Sequence, residues 1–232
     1  MITLRRSGER GGFDFGWLDT RHTFSFGDYD DPEHRHFRSL RVLNEDRVAP
    51  GKGFGTHGHR DMEILTWVLS GALEHRDSLG TQGVIRPGEA QVMSAGTGIR
   101  HSEFNASETE PVHFLQIWIL PERPGLPPRY DQRRFPDPQL ADRFQLLASP
   151  DGADGSVRLC QDVRVSVARL APGAEIGAAL GAGRAGFLHV ALGQVALGGH
   201  LLEAGDAARI EGEPMPILTA RKASEVLFFD LA

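Results

Sequence analysis

The chain has 232 residues, a formal net charge of −6 and one cysteine. The acidic balance excludes a whole-chain basic field that would hold nucleic acid or an anionic membrane, and the lone Cys160 excludes an internal disulfide and a CxxC metal or redox motif. At 40% hydrophobic and 24% charged residues the composition is globular, and 28 glycines with 14 prolines point to many turns and short strands rather than long helices.

No run reaches the ~18 apolar residues of a membrane-spanning helix, and the opening MITLRRSGERGG lacks the apolar core of a signal peptide. A cytoplasmic location is therefore expected, with no membrane partner and no direct nucleic-acid partner. The doublets Arg5-Arg6 and Arg133-Arg134 read as solvated surface charge.

In chain order, RSLRVLNEDRV (38–48) reads as a strand ended by Pro50-Gly51. MEILTWVLSG (62–71) is a second, with LEHRDS following the Gly71 turn. GVIRPGEAQVMSAG (83–96) supplies two short strands around Pro87-Gly88. VHFLQIWILP (112–121) is rich in β-branched and aromatic residues and is stopped by Pro121. The stretch 122–139 holds five prolines and several charges and reads as a linker. A short helix is expected somewhere in 134–148. Short strands with glycine turns then resume to the end of the chain.

The halves echo one another. IRPGEAQVM (85–93) parallels LEAGDAARI (202–210), and LTWVLSGAL (65–73) parallels LHVALGQVAL (188–197). This weak repeat of roughly 115 residues suggests duplication of one β-barrel. The expectation is an all-β protein of two barrels, with an N-terminal domain over 1–125, a linker over 126–143 and a C-terminal domain over 144–232.

GTHGHRD places His57 and His59 two residues apart, and GIRHSEFN does the same with His101 and Glu103. Residues two apart on a strand share a face. Two such strands would present three imidazoles and a carboxylate to one pocket, a donor set suited to a divalent transition metal. Four protein ligands would leave a coordination position open, as a catalytic metal requires.

GKGFGTHGHRDME (51–63) resembles the first cupin motif and GEAQVMSAGTGIRHSEFN (88–105) the second. GFGTHGHRDMEILTWVLSG, EHRDSLG, MSAGTGIRHSE and the N-terminal GWLDTRHTFSFGDY are similar to pirin-family sequences, over about residues 10–130. Ser94 stands where many cupins have Pro, and two extra residues precede His101.

The resemblance implies two cupin barrels (a bicupin of double-stranded β-helices) with one metal in the first, held by His57, His59, His101 and Glu103. Iron is the expected ion, with Ni, Cu, Mn, Co and Zn as alternatives. Many cupins use the first-motif glutamate, which would be Glu63; it is read as lining the pocket or as a spare ligand. The second half, whose histidines are His189 and His200, lacks the ligand set.

His113 is expected to be a satisfied core histidine, and His75 to serve a turn or catalysis. Met62, Met93, Phe54 and Trp118 are candidate apolar walls.

The resemblance also implies a metal-dependent dioxygenase of the quercetinase type. It would cleave a flavonol such as quercetin with O2 and release carbon monoxide, with Glu103 as catalytic base. The alternative in the same family is a non-enzymatic metal- or redox-sensing protein that binds a partner such as a transcription regulator. A third option is a sugar-binding or isomerase cupin, disfavoured by EHRDSLG and AGTGIRHSE. Nothing in the arrangement requires a dimer, and a monomer is expected.

Overall fold

The computed structural model describes residues 1–232, and the chain divides into two compact units. The first comprises Gly11–Arg134 with Val157–Gln161; the second comprises Met1–Arg10, Phe135–Ser156 and Asp162–Ala232. Each is a barrel of antiparallel strands, the two-cupin architecture expected from the sequence.

The first barrel is closed by two sheets. The larger runs, edge to edge, Arg129–Arg134, Glu89–Ser94, Glu63–Ser70, Val112–Ile119, Leu40–Val48, Leu18–His22 and Gly11–Asp14. The smaller runs Gly53–His59, Ile99–Asn105, Leu73–Asp77 and Gln82–Ile85. Two apolar clusters anchor it. Leu18, Val48, Val68, Leu73, Ile85, Val112 and Phe114 form one. Ile64, Met93, Ala95 and Ile99 form the other, with Met62 and Trp118 packed on it.

A row of polar side chains crosses the larger sheet in register: Gln132 opposite Gln91, Gln91 opposite Thr66, Thr66 opposite Gln116, Gln116 opposite Asn44, and Asn44 opposite His22. All but Gln132 are buried.

The second barrel has its own pair of sheets. One contains, in order, Ile2–Arg5, Ala207–Glu211, Ala185–Leu192, Ser224–Leu231, Val163–Leu170 and Gln145–Ser149. The other runs Glu175–Ile176, Leu218–Ala220, Gln194–Leu197 and His200–Glu203. Its main apolar cluster is built by Leu188, Val190, Val195, Leu197, Leu202, Ile210, Leu218, Val226 and Phe228 among others.

The internal echo is visible in the elements. Glu63–Ser70 turns through Gly71 into Leu73–Asp77, and Ala185–Leu192 turns through Gly193 into Gln194–Leu197. Both glycines have positive φ, 78° and 85°. A Cβ would lie 2.6 Å from Pro111 O at Gly71 and 2.2 Å from Ala223 O at Gly193, so no other residue fits either turn.

The units divide differently from the boundaries 1–125, 126–143 and 144–232. Ile2–Arg5 pairs with Ala207–Glu211 and so belongs to the second barrel. Part of the expected linker, Arg129–Arg134, is an edge strand hydrogen-bonded to Glu89–Ser94. The linker's prolines fall at 127, 128, 136 and 138, outside the paired residues, where they do not interrupt the ladder. The only α-helix is one turn, Asp137–Leu140, inside the window expected to be helical. The Arg5-Arg6 doublet is not simply solvated: Arg5 is buried, and Arg6 pairs with Asp206 at 2.7 Å.

Candidate metal centre

Gly53–His59 and Ile99–Asn105 lie side by side, with His101 directly across from His57 and Ile99 across from His59. The register shifts between His101 and Glu103, which brings Glu103 opposite Phe54. Gly53 permits this approach, because a Cβ there would stand 2.2 Å from the Glu103 carbonyl oxygen and 2.5 Å from Phe104 Cα.

Three imidazoles therefore converge. His101 Nε2 is 2.9 Å from His59 Nε2 and 3.1 Å from His57 Nε2. At this distance two neutral imidazole nitrogens either share an N–H···N hydrogen bond or, where both are bare, direct their lone pairs at something between them. Two nitrogens each about 2.1 Å from one ion, at right angles, are about 3.0 Å apart. Both spacings suit nitrogens that would share one cation.

The tautomers agree. His57 Nδ1 is 2.8 Å from Gly55 O, which can only accept, so the proton is on Nδ1 and Nε2 is bare. His75 Nε2 is 3.1 Å from Asp77 Oδ2, and His75 Nδ1 is 3.5 Å from His101 Nδ1. With His75 donating to Asp77, its Nδ1 accepts from His101, and the lone pair of His101 Nε2 is left for an ion. Asp77 is itself fixed, accepting from the Leu79 and Thr81 amides through Oδ1. His75 lies on the strand Leu73–Asp77 rather than in a turn, and from there it orients a ring of the cluster.

Glu103 is 2% exposed. Gln116 Nε2 donates to its Oε2 at 2.8 Å, and Thr66 Oγ1 donates to Gln116 Oε1 at 2.9 Å, which fixes the amide orientation. Glu103 Oε1 is buried with no protein hydrogen-bond partner. A buried acceptor of this kind is costly unless a cation or a proton meets it. The bare Nε2 atoms of His57 and His101, with the neighbouring His59 imidazole and one unpaired carboxylate oxygen, fit a divalent transition metal.

The cavity around this cluster is about 80 Å³ and is lined by Phe26, Asn44, Asp46, Phe54, His57, His59, His101, Glu103, Gln116 and Trp118. Burial, then the nearby His57, lowers the His59 pKa to about 4. Burial and the neighbouring His57, His59 and His75 hold His101 far below the usual imidazole range. Burial and the adjacent Asp46 raise Glu103 to about 8, against the hydrogen bond from Gln116. Burial raises Asp46 to about 7, opposed by its hydrogen bond with Thr20.

The remaining candidates separate. Glu63 does not line the cavity. It accepts from Ser94 Oγ at 2.9 Å and from the Cys160 amide at 3.1 Å. His113 also lies outside, with Nε2 2.9 Å from Glu45 Oε1. Phe54 and Trp118 are walls; Met62 and Met93 pack into the core.

Sequence reasoning missed Gln116, Thr66, Asn44, Asp46 and Phe26. The available signal was a lone polar residue inside each apolar run: Gln116 in VHFLQIWI, Thr66 in EILTWVLS.

The family model described as Pirin matches residues 3–119, and one described as quercetinase C-terminal cupin domain matches residues 146–231. A quercetin 2,3-dioxygenase of Escherichia coli (strain K12) is 47% identical over 231 residues, covering 100% of this chain and 99% of that protein. A pirin-like protein of Caulobacter vibrioides is 42% identical, with 100% of both covered. The crystal structure of YhhW from Escherichia coli, 46% identical, matches with a TM-score of 0.96 over 100% of this chain and 98% of that one. The bacterial pirin YhhW in complex with nickel(II), also 46% identical, matches with a TM-score of 0.94 over 100% and 99%. The chain belongs to the pirin family.

Proposed function

We propose that the chain is a metal-dependent dioxygenase of the quercetinase type, with His57, His59, His101 and Glu103 as the ligands of one metal. The observation that carries this reading is the cluster of three imidazoles, with Nε2 atoms 2.9 and 3.1 Å from that of His101, in a cavity also lined by Glu103, whose buried Oε1 has no hydrogen-bond partner. The ion proposed is iron; the same nitrogen and oxygen donors also accept nickel, copper, manganese, cobalt and zinc.

When bound, the metal supplies a Lewis-acid centre that acidifies a coordinated hydroxyl and holds an electron-rich ring for reaction with O2. The chain's own groups do the rest. Glu103 Oε1 takes the proton of the flavonol 3-hydroxyl, because Gln116 occupies Oε2. Thr66 keeps Gln116 in the donating orientation. Phe26, Phe54 and Trp118 clasp a flat ring and exclude water. In the overall reaction both atoms of O2 remain in the ring-opened product, and carbon 3 leaves with its own oxygen as carbon monoxide.

The test is metal analysis of the purified protein under anaerobic conditions, followed by quercetin, O2 and carbon monoxide detection after reconstitution with each metal. One ion per chain and carbon monoxide equal to quercetin consumed are expected. One ion per chain with no carbon monoxide from any reconstitution would overturn the dioxygenase reading in favour of a sensing or adaptor role. No bound ion in any reconstitution would overturn the site.

A further inference from the structure

The metal chamber, about 80 Å³, is far smaller than the ~300 Å³ at which ordinary small-molecule sites begin, and too small for a three-ring flavonol. A second chamber of about 210 Å³ adjoins it and shares four lining residues, Phe26, Asn44, Asp46 and Phe54. Together they approach the lower end of that range.

The rest of the second chamber is built by the N-terminal stretch whose sequence stood out without a role. Gly11–Asp14 and Leu18–His22 pair as a hairpin on the edge of the larger sheet, and supply Phe13, Phe15, Leu18, Thr20 and His22. The walls are aromatic and interlocked. Phe13 lies 5.4 Å and Phe26 5.2 Å from His22, ring centre to ring centre. Phe15 is 58% exposed at the rim. Such walls suit a flat ring through stacking and edge contacts.

Two polar groups mark the boundary between the chambers. Asn44 is 3% exposed, and its Oδ1 has no hydrogen-bond partner in the protein. A buried amide oxygen left alone selects a ligand that donates to it, because a ligand lacking the donor leaves the cost in place. Asp46, also buried, lines both chambers beside it.

We propose that this aromatic chamber is the second half of the substrate site, and that it takes a hydroxylated aromatic ring carried next to a metal-chelating end, with Asn44 and Asp46 reading the ring hydroxyls. The inference rests on the metal reading above, because the chelating end must be held in the first chamber. In a flavonol the ring on carbon 2 is adjacent to the chelating 3-hydroxyl, and it is the ring that reaches the neighbouring chamber. The selected class is thus polyhydroxylated two-part aromatics rather than simple hydroxy-ketones.

The test measures equilibrium binding, without O2, to metal-loaded and metal-free protein. The probes are quercetin, galangin (the same flavonol without hydroxyls on the carbon-2 ring) and maltol, a one-ring chelator. Quercetin is expected to bind about tenfold more tightly than galangin, the size of one lost hydrogen bond to a buried group. The ratio should fall toward one in Asn44→Leu and in Asp46→Asn.

Phe13→Ala, at a less buried position, covers the case in which Asn44→Leu does not fold. It should weaken quercetin about tenfold and reduce the ratio of quercetin to maltol affinity. Metal-dependent binding with quercetin and galangin within twofold of each other would overturn the second chamber and leave the metal reading standing. Equal flavonol binding with and without metal would overturn both.

Discussion

Gln116 holds one oxygen of Glu103 and leaves the other free. The amide Nε2 is 2.8 Å from Oε2, while Oε1 is buried without a protein hydrogen-bond partner. If Gln116 turned round, its carbonyl oxygen would stand against Glu103 Oε2 and the hydrogen bond from Thr66 would be lost. A proton arriving at Glu103 therefore has one atom on which to sit. Gln116→Leu should remove this restriction. It is expected to weaken metal affinity about 10- to 100-fold and to lower kcat more than KM. Chelator competition and steady-state oxygen uptake read the two effects, and unchanged values for both would show that Glu103 needs no positioning.

The Asp77–His75–His101 chain gives a second prediction. His75→Phe keeps a ring to pack on Tyr130, whose centre is 4.8 Å away, but removes the acceptor for His101 Nδ1. Metal affinity should fall about 10- to 100-fold with little change in melting temperature of the metal-free protein. Chelator competition and thermal melting measure these; a wild-type affinity would remove His75 from the site's support.

The proposed ligands are expected to behave differently from their supports. His101→Ala should abolish stoichiometric metal binding, as read by elemental analysis. Glu103→Gln should leave the fold intact by circular dichroism while suppressing ring cleavage by at least 100-fold, within the range for loss of a catalytic base. Full turnover in Glu103→Gln would remove it as base and as essential ligand.

The pH dependence follows from opposite shifts in one site. His59 is lowered to about 4, so between roughly pH 6.5 and 4 the unfolded chain binds a proton that the folded chain refuses, and stability falls as pH drops through that window. Glu103 is raised to about 8, so between roughly pH 4.5 and 8 the folded chain holds a proton that the unfolded chain has released, and stability falls as pH rises. A bound cation replaces the Glu103 proton and suppresses the second loss. The rise in melting temperature on metal loading should therefore grow from pH 6 to pH 8. Melting curves with and without metal across that range check it, and a constant or shrinking gap would contradict the assignment of Glu103 to the metal.

Gly53 predicts a mutation with two readouts. Alanine there would press its Cβ to 2.2 Å from the Glu103 carbonyl oxygen, so the two strands must part. Gly53→Ala is expected to cost about 1–3 kcal/mol in urea unfolding, as overpacking does. It should also weaken metal affinity, because the strand displaced is the one that carries Glu103. Loss of stability with unchanged affinity would show that the strands relax away from the site.

The grouping of His57 with His59 and His101, and the place of Glu103 on the wall of the same cavity, were legible because strand parity is a local rule, read from residues two apart. So were the strands over 38–48, 62–71 and 112–121, whose β-branched and aromatic runs are long enough to carry a pattern. Arg129–Arg134 was not, because RYDQRR has the charge of a linker and becomes a strand only through pairing with Glu89–Ser94. The pairing of Ile2–Arg5 with Ala207–Glu211 spans some two hundred residues and leaves no local trace. Glu63 was read as a pocket residue from its distance to His59. It points elsewhere because Glu63–Ser70 is a separate strand in the other sheet, where counting from His59 no longer gives its face.

The row Gln132, Gln91, Thr66, Gln116, Asn44 and His22 has a consequence for assembly as well as for the site. Antiparallel ladders of apolar strands tolerate slippage in steps of two residues, since the same face stays buried. Here such a slip between Glu63–Ser70 and Val112–Ile119 would set buried Thr66 against Phe114 or Trp118, and Gln116 against Ile64 or Val68. The polar row acts as an alignment key, in which the groups that equip the cavity also make the misaligned sheets the less stable ones.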